Sequence, residues 1–344
     1  MKSHYRAVVI GGGVVGASAL YHLAKMGWND VILVEKIEYT SGSTWHAAGL
    51  LPLFNMSYSV GKIHKYSVDL YQSLEEETGQ HVSFHKTGNL RLARNQERMD
   101  EYKRYCGTAS TIGVPFEMIG PAEIKKLWPF AKVDDLVGAL FHPDDGHVAP
   151  VDVTMALLKG ARANGAETYS EVEVTAMAQK PNDEWVVSTN KGDITCDVVI
   201  SCTGNYARET GRMVGLELPV VPVEHQFIVT GPIPELVEYN RSGNLEMAVL
   251  RESDASYYMR QEADGLILGP YEKGAPCWAL DGVPEGFEQE LLPPDLERLE
   301  PHIIAAGERV SIFETAGIKD HINGPIAYTP DGNPMVGPAW GLRN

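Results

Sequence analysis

The chain has 344 residues, 44% hydrophobic and 22% charged, the composition of an ordinary globular protein with room for a large core or two domains. A formal net charge of -17 and a pI of about 5.1 exclude the clustered basic surface that nucleic acids or anionic membranes require, so an anionic substrate has to meet a local basic site. Cys106, Cys196, Cys202 and Cys277 form no CxxC pair and no zinc-like spacing with histidine, which predicts reduced thiols in a reducing compartment; no secretory signal fits before the first strand and no apolar run reaches membrane-spanning length.

In chain order, Arg6 to Ile10 is expected as a buried strand, Val14 to Gly27 as a helix with Val15, Ala19, Leu23 and Met26 on its apolar face, and Val31 to Glu35 as a second strand. This is a βαβ unit. Ser59 to Glu77 carries helical spacing at Val60, Ile63, Val68, Tyr71 and Leu74 and ends at Gly79 as a C-capped helix would. From Gly88 the short strands of "GNLRLA" and "VGALFH" alternate with helices at Gln96 to Ile112, Pro121 to Leu127 and Val151 to Asn164. Beyond Glu167 strands dominate: "DITCDVVISCTG" runs an apolar strand into a turn closed by Gly204, and Pro219 to Gly269 reads as a substrate-facing sheet.

Gly11, Gly13 and Gly16 form G-x-G-x-x-G directly after a strand and at the start of a helix, with Glu35 ending the next strand. The glycines suit a tight turn, a close approach to pyrophosphate and close helix packing, the helix N-terminus attracts the anion, and Glu35 accepts from ribose hydroxyls. NAD and FAD both present such an ADP half, so the motif alone leaves the cofactor open. The run Lys36 to Gly49 leads along an extended cofactor, with Gly42, Ser43, Thr44, Trp45, His46, Ala47, Ala48, Gly49 and the following Leu50 placing one histidine among small residues. His46 reads either as a flavin contact or as a capping or packing histidine. No Walker A, HExxH or G-x-S-x-G sequence occurs; Asp144-Asp145 lacks calcium-loop spacing and reads as a turn, so no metal is expected.

Together "VVIGGGVVGASALYHLAKMGW", "LVEK", "GSTWHAAGL", "DVVISCTGNYAR", "VEHQFIVT", "SYYMRQEADGLILGPYE" and "YTPDGNPMVGP" resemble, in order along nearly the whole chain, the dimethylglycine and sarcosine dehydrogenase/oxidase family. The resemblance implies FAD, carried covalently by His46 through the flavin 8α-methyl, with further cofactor contacts at Val14, Val15, Lys36, Val174, Gly204 and Tyr206. His225 and one tyrosine of the Tyr257-Tyr258 pair are implied as substrate-pocket residues. Strand alternation sends only one tyrosine inward, and the motif alignment favours Tyr257.

The implied fold is α/β, a doubly wound FAD-binding domain of the Rossmann type interleaved with an antiparallel-sheet substrate domain. Segments 1–85 and 151–215 are expected in the former, 86–150 and 216–318 in the latter, and 319–344 as the start of a C-terminal FAD-binding segment. The family's flavin domain continues past "NPMVGP", so a fragment or shortened form is expected. The implied activity is oxidative N-demethylation of a small N-methylated amino acid, with hydride passing from the N-methyl carbon to flavin N5 and electrons leaving to an acceptor protein or oxygen. Tetrahydrofolate would bind a domain absent from this chain, and the location would be the cytoplasm, or the mitochondrial matrix for a processed eukaryotic protein. Two rivals stay open: a flavin oxidase of another secondary amine or a D-amino acid, and a non-catalytic flavin-binding subunit or fragment.

Overall fold

A computed structural model of the chain describes residues 1–344. Two large sheets divide it, and Leu50–Leu51 with Gly146–His147 forms a separate two-stranded one. The first has six strands in the order Glu167–Tyr169, Val31–Val34, His4–Ile10, Gly192–Ser201, Trp185–Thr189, Val174–Gln179. Its first four strands are parallel and the last two extend it as an antiparallel hairpin. Apolar runs such as "VILV" form these strands because a parallel strand buried on both faces has no solvated side to alternate with. One face is covered by the helices Val14–Lys25, Tyr58–Thr78 and Pro150–Ala163; the other carries Tyr5, Val8, Ile32 and Val34 packed with Met177, Trp185 and Val187 of the hairpin.

Helix Val14–Lys25 buries a different stripe from the one expected. Ala17, Leu20, Tyr21 and Ala24 face the sheet, while Val15 and Met26 are 66% and 75% exposed. The cause is the close crossing at Gly16, where any side chain would run into the carbonyl oxygen of Gly11 and the adjoining backbone sets the helix rotation. In helix Tyr58–Thr78, Val68 and Leu74 are buried as expected, but Ile63 is 51% exposed. Ser57 accepts from the Val60 N–H at its start, and Gly79 in the left-handed conformation closes its end.

The second sheet has eight strands in the order Ile318–Tyr328, Val221–Thr230, Gly265–Pro270, Tyr257–Glu262, Val249–Glu252, Asn89–Ala93, Gly138–His142, Glu117–Ile119. It is mixed, because Val249–Glu252 runs parallel to Asn89–Ala93 while every other neighbouring pair is antiparallel. That one parallel contact joins the chain segment before residue 150 to the one after residue 216. Strand Ile318–Tyr328, which begins at the boundary expected for the C-terminal segment, pairs along Val221–Thr230 and so extends this sheet. One face of the sheet builds the largest core, with Trp128, Leu250, Met259, Leu268 and helix Leu296–Arg309, whose amphipathic pattern had not been singled out in the sequence. The other face carries Phe227, Tyr258 and Ile267, with Ala48 and Leu50 packed against them. No helix is long and apolar enough to cross a membrane.

Candidate active site

At the end of strand His4–Ile10 the chain turns at Gly11, whose φ of 110° is open only to glycine, and the helix begins at Val14 with no side-chain cap on its N-terminus and no acidic residue in its first turn. An uncapped helix start and its dipole suit a diphosphate. The Val14 N–H points to Thr44 Oγ1 at 3.1 Å, which ties the helix start to the run expected to follow the cofactor. Glu35 accepts from the Gly12 N–H at 2.5 Å and from the Ile37 N–H at 3.0 Å, so its carboxylate is fixed at the strand end with lone pairs left for hydroxyl donors. Lys36 lies 4.6 Å from the centre of the Tyr206 ring and 3.8 Å from Glu173, the residue before Val174. Gly204, at φ 53°, turns the chain at the end of strand Gly192–Ser201, beside the glycine turn.

The run from Gly42 to Leu50 crosses from the first sheet to the second. Ser43 donates to the Pro325 carbonyl at 2.7 Å, and the Asn205 side chain donates to the same carbonyl at 3.2 Å. Leu50 then pairs with His147, which is held by Glu246 at 2.6 Å. Between these anchors Gly42 and Ala47 are exposed, Thr44 and His46 are buried, and Trp45 meets the His46 ring edge-on at 5.6 Å. The His46 ring lies against Gly324, where an added Cβ would sit 2.5 Å from one ring carbon. Burial lowers the His46 pKa, with the backbone carbonyls of His46 and Pro325 pulling the other way, so the imidazole is neutral near pH 7.

Directly across the strand pair from Gly324 stands His225. Burial, then the proximity of His46, lowers its pKa to about 4. Register assigns the faces of the sheet: Met259 sits opposite Leu268, and Ile228 opposite the same residue, all in the large core. Tyr257, two residues from Met259, shares that core face. Tyr258 shares the other face with Phe227, Ile267, Ala48 and Leu50. The preference for Tyr257 is therefore corrected: Tyr258 is the tyrosine on the His225 face, because alternation from the core residue Met259 turns Tyr257 away.

Three groups absent from the sequence expectations complete this face. Tyr271 lies 5.7 Å from His225, ring centre to ring centre, and 5.9 Å from Tyr258. Arg251 donates to the Tyr271 hydroxyl at 3.1 Å. Arg91, paired in register with Arg251, lies 4.2 Å from the centre of the Phe54 ring. A signal existed for both arginines: each follows a leucine inside a short buried strand, "NLRLA" and "VLRE".

A glycine turn, a fixed acid and a small-residue run that carries a neutral histidine thus follow one another from the first sheet to the face of His225. The family model described as FAD dependent oxidoreductase matches residues 6–344. The chain belongs to this FAD-dependent oxidoreductase family. It is 44% identical over 348 residues to the mitochondrial dimethylglycine dehydrogenase of Rattus norvegicus, a match that covers 100% of this chain and 40% of the relative. It is 37% identical over 349 residues to the mitochondrial sarcosine dehydrogenase of Homo sapiens, again across 100% of this chain and 37% of the relative. The chain thus spans about 40% of the length of the first of these relatives. Among solved structures, L-proline dehydrogenase from P. horikoshii superposes with a TM-score of 0.85 at 28% identity, covering 99% of this chain and 86% of that one. The chain has the α/β fold of this family, and the residues at the glycine turn fit an ADP half.

Proposed function

We propose that the protein oxidises the N-methyl group of a small N-methylated amino acid of the dimethylglycine or sarcosine type. The observation that carries this reading is the convergence of His46, His225 and Tyr258 on one sheet face, at the end of the run that leads from the dinucleotide turn. The likeness to dimethylglycine and sarcosine dehydrogenases along the full chain supports it.

Gly11, Gly13, Gly16, Val14, Val15 and Glu35 would hold the ADP half of FAD, with Lys36, Val174, Gly204 and Tyr206 beside it. The run from Gly42 to Leu50 would follow the rest, and His46 would hold the cofactor covalently. When bound, FAD supplies the two-electron acceptor, at N5, for hydride lost from the N-methyl carbon. His225, neutral above about pH 4, offers a nitrogen lone pair that hydrogen-bonds the substrate nitrogen without adding a positive charge beside it, while the ammonium proton itself leaves to solvent. The amine lone pair is then free to assist C–H cleavage. Tyr258, with a hydroxyl held protonated by burial, donates a hydrogen bond into the same space. Phe227, Ile267 and Leu50 keep water from it. The one-carbon unit would leave as formaldehyde or pass to tetrahydrofolate bound outside these residues, and the electrons would pass to an acceptor protein or to oxygen.

Dimethylglycine or sarcosine should bleach the bound flavin without oxygen, and acid precipitation should leave the flavin on the protein but release it from His46→Ala. Bleaching by proline or a D-amino acid, and by neither N-methyl compound, would replace this reading with that of another amine oxidase; no bleaching by any of them would favour a non-catalytic subunit.

A further inference from the structure

Three chain segments that lie far apart in sequence meet where the small two-stranded sheet joins the rest of the molecule. His85 and His147 face each other across an antiparallel bridge, the His85 N–H donating to the His147 carbonyl at 2.8 Å and the His147 N–H to the His85 carbonyl at 3.0 Å. A hydrogen-bonded cross-strand pair puts both side chains on one face, and here the two rings stack at 4.6 Å between centres, inclined by 14°. The close approach needs Gly146, where an added Cβ would stand 1.9 Å from the His85 carbonyl oxygen.

Each stacked ring turns one nitrogen to the same carboxylate. His85 Nδ1 lies 2.7 Å from one oxygen of Glu246, and His147 Nε2 lies 2.6 Å from the other. The segment that brings Glu246 is fixed directly behind it, since the Met247 N–H donates to Gln261 and the Val249 N–H to the Gly88 carbonyl. The charged neighbours are already matched: Lys86 pairs with Asp144 at 2.6 Å and Arg260 with Glu262 at 2.5 Å. Glu246 is therefore left to the two histidines. Burial lowers the His147 pKa, with Glu246 pulling the other way, so that the ring is neutral near pH 7 and has a lone pair to give.

We propose that His85, His147 and Glu246 form a binding site for a divalent transition ion of the zinc class. Two imidazoles and one carboxylate are a nitrogen-rich set that suits zinc and disfavours calcium or magnesium, which take oxygen ligands. The three ligand atoms lie within 4.8 Å of one another. Tetrahedral ligands about 2.0–2.1 Å from zinc stand about 3.4 Å apart, so the carboxylate has to withdraw by less than about 1 Å to admit the ion. Each neutral ring then carries its proton on the far nitrogen, and the ion takes the place of two N–H donors with no other bond broken. His147 is buried while His85 is half exposed, which leaves the fourth position open to water. No spacing motif announces the set, because each ligand comes from a different segment. His147 also pairs with Leu50, at the end of the run that carries His46, so a bound ion ties that run to the segments of His85 and Glu246.

Zinc chloride is the probe, added to the purified full chain after treatment with a chelator and followed by competition with a fluorescent zinc indicator and by melting temperature. One tight ion should bind per chain, and melting temperature should rise with zinc concentration, as it does for any ligand of the folded state alone. His85→Ala and Glu246→Gln should each weaken zinc by at least about 100-fold, more than the loss of an outer contact to a ligand, and should abolish the rise in melting temperature. His4→Ala, which dismantles the looser group of His4, Glu184 and Asp197 on the first sheet, should leave the tight ion in place. Unchanged zinc affinity in both His85→Ala and Glu246→Gln, or its loss in His4→Ala instead, would overturn the assignment. Should the variants unfold, anomalous scattering from a zinc-soaked crystal of the parent protein decides: an ion on these three side chains supports the site, and an ion elsewhere or none at all overturns it.

Discussion

The two sheets solve opposite problems. In the six-stranded sheet the proposed binding groups are mostly backbone, the turn at Gly11 and the helix N-terminus, with one side chain added, the carboxylate of Glu35 clamped by two N–H donors. In the eight-stranded sheet they are side chains buried with their polar capacity unspent. Of the buried side-chain polar atoms without a partner, all but those of Asn205 and Glu209 lie on or beside the second sheet, among them Arg91, His142, Asp145, Arg251 and Arg260. A site for an invariant group such as a diphosphate can be made of main chain, which any sequence supplies. Choice of substrate needs charges and hydroxyls at chosen depths, and those cost desolvation until a ligand meets them.

That contrast can be broken at either sheet. The largest effect should come from Gly16→Val, because its side chain would strike the Gly11 carbonyl; overpacking of this kind costs about 3 kcal/mol and moves the turn that receives the cofactor. The variant should purify without flavin and melt lower, and a yellow, stable Gly16→Val protein would show that the backbone cradle is dispensable. Next, His225→Ala and Tyr258→Phe should slow anaerobic flavin reduction, His225→Ala by a factor of about 10² to 10⁴, while leaving the flavin bound. Tyr257→Phe should match the parent in rate, and because it deletes a buried hydroxyl without a partner it should leave stability equal or higher. A slow Tyr257→Phe beside a normal Tyr258→Phe would reverse the assignment of faces.

The smallest effect is on stability against pH. His225 falls to about 4 and His142 to about 3 in the fold, both by burial, and burial lowers His46 as well. The unfolded chain, with histidines near 6.5, then binds more protons than the folded one, so their contribution is complete above about pH 6.5 and is lost as pH falls toward 4. Melting temperature should drop across that window, and His225→Gln should shallow the drop. An identical acid limb in the variant would mean that His225 is solvated.

The nucleotide half was legible because its determinants are local. Gly11, Gly13, Gly16 and Glu35 fall within one βαβ unit, and each follows from strand, turn and helix geometry over a short span. The helix face was misread there for the same reason in reverse: hydrophobic spacing picked Val15 and Met26, but the crossing at Gly16 sets the rotation, and that crossing is a contact with Gly11 in three dimensions. In the second half, alternation correctly separated Tyr257 from Tyr258 and had no means of naming the inward one. Arg91 and Arg251 were visible as charges beside leucines in short strands, yet they lie far apart in the chain and meet only through one parallel pairing.

The amino-acid sequence by itself determined the βαβ unit, its acidic strand end, the small-residue run to His46 and the likeness to a flavin enzyme family, since each depends on neighbours a few residues away or on order along the chain. The tertiary structure alone decided that His46 rests on Gly324 opposite His225, that Tyr258 shares their face, and that two unpaired arginines lie beyond Tyr271. Strand order and register are set by packing the whole sheet against its core, and a shift of one residue exchanges the two faces, so no short stretch of sequence carries that information.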